Sequence, residues 1–320
     1  MRCKGVEIMI VGRLTHVHLI VDDVSSAASF YGELFGLVPV AETATVRYLA
    51  GGKGAAFDLA LERGDPALDH FAFSLAHSED LAIAHRTLTE AGVRVSELPR
   101  SDEPGVAAGV RFALPSGHVM ELVQLDDPAV FTPTPLVDRR HLVGVGPVSL
   151  EHITMTCGDV EETAAFLTRE LEFRLTESVQ PAGEPWFNAF LRCGDQHHDA
   201  AFFANDDGDA PGLNHLGFAV PSVSDLVRVA DIASARGHML DASMGRHLAG
   251  NNVFIYLKDP AGHRVEVNTD MARIEAGASP RILSEMRFDA WREGIAPGVL
   301  PSTPARDGRR EASAAGADRS

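Results

Sequence analysis

Two histidines and a glutamate, His152, His215 and Glu266, fall where three separate strands are expected. His152 and His215 open apolar runs, "LEHITMTC" and "LNHLGFAV", and Glu266 closes a run that follows a turn, "DPAGHRVEVN". Two neutral imidazoles and one carboxylate gathered from different strands suit a non-haem Fe(II) ion with open coordination positions, and the same donors accept Mn(II). An isolated strand histidine is usually a partly buried structural residue, so the grouping matters more than any one member. His198, His247 and Tyr256 add side chains that transfer protons or hold a substrate. The chemistry this set suggests is a metal-dependent oxidation.

The elements that must position these residues repeat along the chain. "LTHVHLIVDDVSSAASFYGELFGL" (14–37) lines up with "LEHITMTCGDVEETAAFLTRELEF" (150–173), which places His16 on His152. "LDHFAFSL" lines up with "LNHLGFAV", and "LPSGHVMELV" with "KDPAGHRVEVN", which places His70 on His215 and Glu121 on Glu266. The first pair stands 136 residues apart and the other two 145, so the second half carries about nine extra residues, assigned to the stretch holding His197 and His198. Within "DVEETAAFLTRELEF", Val160, Ala164, Phe166, Leu167 and Leu171 recur at helical spacing behind an acidic first turn. "SDLVRVADIASARG" predicts a helix that starts after Ser224 or Asp225 and stops at Gly237. "VFIYLK" and "HRVEV" predict strands joined by an Asp-Pro-Ala-Gly turn. The fold class expected is α+β: two domains, each of two paired βαβββ modules forming a half-open curved barrel. Their expected limits are 12–126 and 147–275, with a Pro/Gly-rich linker near 126–147. A tail, 276–320, follows, and its polar end "PSTPARDGRREASAAGADRS" is expected to be disordered.

Composition narrows the function classes. The 320 residues suffice for two domains, and 45% hydrophobic with 23% charged content is globular. A net charge of −17 disfavours nucleic acid and anionic membrane surfaces as partners. Cys3, Cys157 and Cys193 are too few and scattered for a disulfide framework or thiolate zinc site. "MRCKGVEIMIVGR" reads as a leader into the first strand rather than a signal peptide, and a cytoplasmic protein without a membrane span is expected.

On these motifs the second half resembles the catalytic domain of type I extradiol ring-cleavage dioxygenases, the catechol 2,3-dioxygenase branch of the vicinal oxygen chelate superfamily. The resemblance covers about residues 14–270 and is strongest in "GRHLAGNNVFIYLKDPAGHRVEV" (245–267), which follows the family's run of histidine, tyrosine and metal-binding glutamate. It implies that His152, His215 and Glu266 bind Fe(II), or Mn(II), that His198 rather than His197 is an acid/base on the O2 side, and that His247 and Tyr256 contact substrate. It further implies a catechol and O2 as substrates, a 2-hydroxymuconic semialdehyde-type product, a place in aromatic-compound catabolism, and a homo-oligomer. On an alternating strand only one of His197 and His198 would point inward. Relatives taking carboxylated catechols carry an arginine where this chain has Ala242-Ser243-Met244, so an uncharged catechol is expected, unless Arg281, Arg287 or Arg292 of the tail folds over the site.

Other features carry less. Trp186 and Phe187 are candidates for a ring pocket, although aromatic residues are more often core, and Asn251 and Asn252 could orient His247, although asparagines in turns usually just make turns. His16, His70 and Glu121 form a second triad, yet Arg111 stands at the position of Tyr256 and no histidine matches His198 or His247. This half is expected to be non-catalytic: an ancestral pattern retained after duplication, or a second metal without ring cleavage. A site mixing His16 with the second half is disfavoured because His152 is present. The alternatives of another class are a metal-dependent glyoxalase-type isomerase or lyase, which would need a second glutamate as base, and a non-catalytic small-molecule binding protein of the same superfamily.

Overall fold

Strand, helix and three strands follow one another four times. The computed structural model describes residues 10–51, 57–77, 79–98, 100, 103–126, 143–205, 208, 210–285, 289–291 and 302–309. The first repeat is β1 (Val11–Val21), α1 (Val24–Phe35), β2 (Val38–Glu42), β3 (Val46–Ala50) and β4 (Leu59–Arg63). The second is β5 (Ala67–Leu75), α2 (Asp80–Glu90), β6 (Ser96–Leu98), β7 (Val106–Ala113) and β8 (Val119–Leu125). β9 (Ser149–Cys157), α3 (Val160–Leu171), β10 (Arg174–Val179), β11 (Asn188–Arg192) and β12 (Ala200–Ala204) form the third. The fourth comprises β13 (Gly212–Ala219), α4 (Val223–Ala235), β14 (Leu240–Arg246), β15 (Val253–Lys258) and β16 (Arg264–Thr269). Two short strands, β17 (Arg281–Leu283) and β18 (Thr303–Pro304), come from the tail.

The repeats pair into two sheets, in the order β2-β3-β4-β1-β5-β8-β7-β6 and β14-β15-β16-β13-β9-β12-β11-β10-β17. The first strand of each repeat lies parallel to the last, and the two first strands run antiparallel at the centre. These are the two βαβββ-built domains of the expected α+β fold.

Period-two alternation decides what each central strand shows to each side. In β9, Ile153 and Met155 join the apolar core while His152, Thr154 and Thr156 face the other way. Val265 and Val267 of β16 likewise leave Glu266 and Asn268 on the opposite face. Both faces are buried, so these strands read as nearly continuous apolar runs with a few polar interruptions.

Helix ends follow local chemistry. Asp23 caps α1 by accepting from the amides of Ser25 and Ser26, and Asp159 caps α3 through the amide of Glu162. α4 begins at Val223, earlier than expected, because Ser222 takes the N-cap position and its hydroxyl bonds Asp225; Gly237 ends it at φ 79° as expected.

The halves share a core and a reciprocal clasp. Phe35 stacks on Phe218 at 5.1 Å, and Phe73 meets Phe173 edge-on at 5.3 Å. His118 of the first half donates from Nε2 to the Gly212 carbonyl (3.0 Å), and His263, its counterpart in the repeat, donates to the Ile20 carbonyl (2.9 Å). Tyr31 adds a third tie by donating to Asp259 (3.0 Å).

Two expectations need correction. The second half's extra residues do not surround His198. They lie in turns: β10 and β11 are joined by 180–187 where β2 and β3 need only 43–45, and β12–β13 is also longer than β4–β5. Turns accept insertions because no ladder registers them. Part of the tail is ordered as well. Thr303 and Pro304 pair with Leu213 and Gly212, Arg306 binds Asp69 (2.7 Å), and the Gly308 amide reaches the Gly117 carbonyl (2.8 Å). Backbone pairing, to which composition is blind, fastens this strap across both halves. Most of the expected linker, the chain start 1–9, and 310–320 lie outside the described residues.

Candidate metal centre

Gly217 is the pivot on which the side chains of His152, His215 and Glu266 meet. It sits across from His152 on β9 and beside Glu266 on β16, while His215 lies two residues earlier on the same face. A Cβ at Gly217 would stand 2.2 Å from Cε1 of His152, so only glycine leaves room for that ring. The donors converge: His152 Nε2 is 3.2 Å from His215 Nε2, His215 Nε2 is 3.1 Å from Glu266 Oε2, and His152 Nε2 is 3.8 Å from the same oxygen. Donors held about 2.0–2.2 Å from one ion lie roughly 2.8–3.6 Å from each other, so the spacing fits a divalent cation to within a few tenths of an ångström. Each Nε2 is aimed inward from behind, His152 by Glu151 at Nδ1 (3.4 Å) and His215 by Asn214 at Nδ1 (2.5 Å). His152 and Glu266 lie near the middle of their strands rather than at the ends, which gives them rigid backbones on both sides.

Burial and charge set the protonation states. Burial alone would raise the Glu266 carboxyl, but His152, His215 and His247 hold it well below the usual carboxylate range. Burial lowers His215 to about 4. His152 is buried too, yet the carboxylates of Glu151 and Glu266 push it up to about 9. One proton therefore belongs to this imidazole pair, and a cation binding both Nε2 atoms displaces it.

The neighbours take the following places. Tyr256 pairs across the ladder with Glu266 and donates its hydroxyl to Oε2. His247 stacks on Phe254 at 3.9 Å and places Nε2 3.0 Å from the Tyr256 hydroxyl. The ring of His198 lies 4.6 Å from that of His152. Burial, then the neighbouring His152 and His197, keep His198 far below its ordinary pKa, so it is a neutral base rather than one poised near 6.5. His197 is equally buried and also turns inward, toward Glu177 and Phe190, because the pair precedes β12 and escapes strict alternation. The prediction of only one inward histidine was wrong on this point.

Asn252, whose place in the sequence suggests a turn, donates its amide to Glu266 Oε1 (2.7 Å) at full burial. A polar residue one step before a strand could have been weighed as a carboxylate holder. Phe187 joins Phe190, Ala201, Phe203 and Ala249 in an apolar cluster flanking His198, whereas Trp186 packs on the main core. Arg246 is engaged by the Asn251 carbonyl and Asp270, and Arg281 by Glu177. Arg287 and Arg292 lie outside the described residues.

The first half repeats the ligand positions with other company. Arg111 pairs with Glu121 as Tyr256 pairs with Glu266, and its Nε donates to Oε1 at 2.5 Å. Phe57 occupies the place of His198, since the carbonyl of the next residue, Asp58 or Asp199, accepts the amide of the residue after the ligand histidine, Val17 or Ile153. Ala72 replaces Gly217.

The chain is similar to known proteins over most of its length. The family model described as Glyoxalase/Bleomycin resistance protein/Dioxygenase superfamily matches residues 149–267, and the Catechol 2,3-dioxygenase-like N-terminal domain matches 68–124. The chain is 28% identical over 264 residues to a metapyrocatechase of Pseudomonas sp. (strain CF600), covering 80% of this chain and 85% of that one. It is 25% identical over 269 residues to a manganese-dependent 2,3-dihydroxybiphenyl 1,2-dioxygenase of Geobacillus genomosp. 3, covering 80% and 84%. Its fold matches that of homoprotocatechuate 2,3-dioxygenase from Brevibacterium fuscum with a TM-score of 0.81 at 22% identity, over 95% of this chain and 96% of the other. Residues 149–267 thus match the glyoxalase/bleomycin resistance protein/dioxygenase superfamily, and with its duplicated βαβββ sheets and its cluster of two histidines and one carboxylate the chain is similar to extradiol dioxygenases.

Proposed function

We propose that this protein opens a catechol ring with O2 by extradiol cleavage, and that residues 147–275 carry the reaction while 12–126 does not. The observation that supports this most is the convergence of His152, His215 and Glu266, with Tyr256, His247 and His198 on the surrounding strands and loops. Iron(II) held by the three donors, or manganese(II) in its place, supplies a point of chelation for two vicinal oxygens and a path for electrons to dioxygen.

The chain's own groups do the rest. Glu151 and Asn214 fix the imidazole tautomers, and Asn252 fixes the carboxylate. Tyr256 and His247 form a hydroxyl–imidazole pair beside Glu266, and turning the Tyr256 hydroxyl from Oε2 toward an anionic substrate oxygen would let the pair hold that oxygen. His198, neutral through burial, accepts a proton on Nε2, the ring nitrogen not engaged with His197, and returns it as the ring opens. The Phe187–Phe190–Phe203 wall excludes water and receives the apolar part of the ring. Arg246 and Arg281 already have carboxylate partners, which favours an uncharged catechol. We place the protein in the cytoplasm, in keeping with the buried free thiols of Cys157 and Cys193, and no helix among the described residues is long and apolar enough to cross a membrane. The exposed Val38 and Val40 on the edge strand β2 suit a homo-oligomer.

Protein reloaded anaerobically with Fe(II) and given catechol and O2 is expected to form the yellow ring-opened semialdehyde. Metal-replete protein that leaves a panel of catechols untouched, or His198→Ala protein that turns over at the wild-type rate, overturns the reading.

A further inference from the structure

The first half holds more donors than its repeat pattern predicted. Besides His16, His70 and Glu121, the carboxylate of Glu103, from the segment before β7, faces the same point. Glu103 stands eight residues before Arg111, much as His247 stands nine before Tyr256, so an acidic side chain occupies the loop that delivers His247 in the other half.

The spacing is that of ligands around an ion rather than of groups bonded to one another. His16 Nε2 lies 3.8 Å from Glu103 Oε2 and 3.7 Å from Glu121 Oε2. His70 Nε2 lies 3.5 Å from Glu103 Oε1 and 3.7 Å from Glu121 Oε1. These separations exceed a normal N–H···O hydrogen bond of about 2.7–3.2 Å. They approach the edge of a tetrahedron whose corners lie about 2.0–2.2 Å from its centre, which is roughly 3.3–3.6 Å. His16 and His70 are each 1% exposed and Glu121 is fully buried, yet His16 Nε2, His70 Nε2 and Glu121 Oε2 make no hydrogen bond among the described residues. Three such buried polar atoms aimed at one point are costly to desolvate unless something binds them. The ring behind is also prepared: Asp69 bonds His70 Nδ1 (2.6 Å), turning Nε2 inward, and Arg306 of the tail strap holds Asp69.

We infer that His16, His70, Glu103 and Glu121 bind a second divalent first-row metal ion such as Zn(II), so that one chain carries two ions. Four protein donors close the coordination shell, and Arg111 covers the remaining side through Glu121. A shell of this kind holds an ion for structure and offers no open position to a substrate. The inference does not depend on the ring-cleaving reading of the other half.

Its test is a metal count on the full chain, stripped with chelator, reloaded with Zn(II) and dialysed. Wild type is expected to retain two ions per chain and His215→Ala one. His215→Ala reloaded with Co(II) is expected to show the strong visible bands of four-coordinate cobalt, and adding Glu103→Gln removes them. Should that double variant fold poorly by circular dichroism, Asp69→Asn is the milder probe, expected to weaken the second ion about 10–100-fold. One ion in wild type with none in His215→Ala overturns the inference; unchanged retention of that ion in Asp69→Asn and Glu103→Gln overturns the assigned ligands.

Discussion

The two centres of this protein share a scaffold and differ in nearly everything around it. His16, His70 and Glu121 occupy the same strand positions as His152, His215 and Glu266. Around them, Phe57 stands where the second half has His198, Arg111 where it has Tyr256, and Ala72 where it has Gly217. Even the residues behind the rings are exchanged: a carboxylate backs the second histidine of one half (Asp69) but the first histidine of the other (Glu151). The difference teaches that duplicated ligands fix where a cation can sit, whereas neighbouring side chains decide whether the site stays open and can move protons. In the readings proposed above, Glu103 and Arg111 complete one centre, whereas His198, His247 and Tyr256 equip the other to move protons.

The largest effect should come from the ligands. His152→Ala is expected to abolish ring cleavage in a catechol absorbance assay, whereas His16→Ala should retain it; equal loss in both would erase the distinction between the halves. Next, His198→Phe gives the second half the residue of the first. With metal content unchanged, turnover should fall by about 10²–10⁴-fold, the usual worth of a positioned acid/base. Gly217→Ala copies Ala72 and pushes a methyl group into the His152 ring. Apparent affinity for the catalytic ion is expected to drop about 10–100-fold, read by competition with a chelator, while the circular dichroism spectrum is kept. Unaltered affinity would mean that the glycine does not set the geometry.

The smallest effect concerns the clasp between the halves. Burial pulls His118 down to about 4, although its bond to the Gly212 carbonyl works the other way. The unfolded chain, with a histidine near ~6.5, then binds more protons than the folded one between those two values. Stability contributed by neutral His118 is therefore present above pH 6.5 and is lost as pH falls through that window, by up to about 1.4 kcal/mol per pH unit. His118→Gln should lower the urea midpoint at pH 7 but flatten its decline toward pH 5. A decline as steep as that of wild type would assign the acid sensitivity to other groups.

Much of this arrangement was legible in the chain. The repeat, the α+β class and the grouping of His152, His215 and Glu266 follow from apolar alternation and from polar residues recurring at matching places, because a strand's period of two ties sequence order to facing side, whereas His198, His247 and Tyr256 have no counterpart in the first half and were singled out only by the family resemblance. What tertiary structure alone decided are contacts between residues remote in sequence. Asn252 looked like a turn until its amide met Glu266, and Glu103 lies outside any shared motif until the sheet curls it onto His16 and His70. The tail strap looked disordered because its stability comes from backbone pairing with β13 and from the Arg306–Asp69 pair, neither of which leaves a mark on composition. The neutral state of His198 was not legible for the same reason: burial beside His152 and His197 is a property of the folded neighbourhood. Local patterns determined which residues face inward on each strand; closure of the sheets determined which of them meet, because meeting depends on distances that only the packed chain sets.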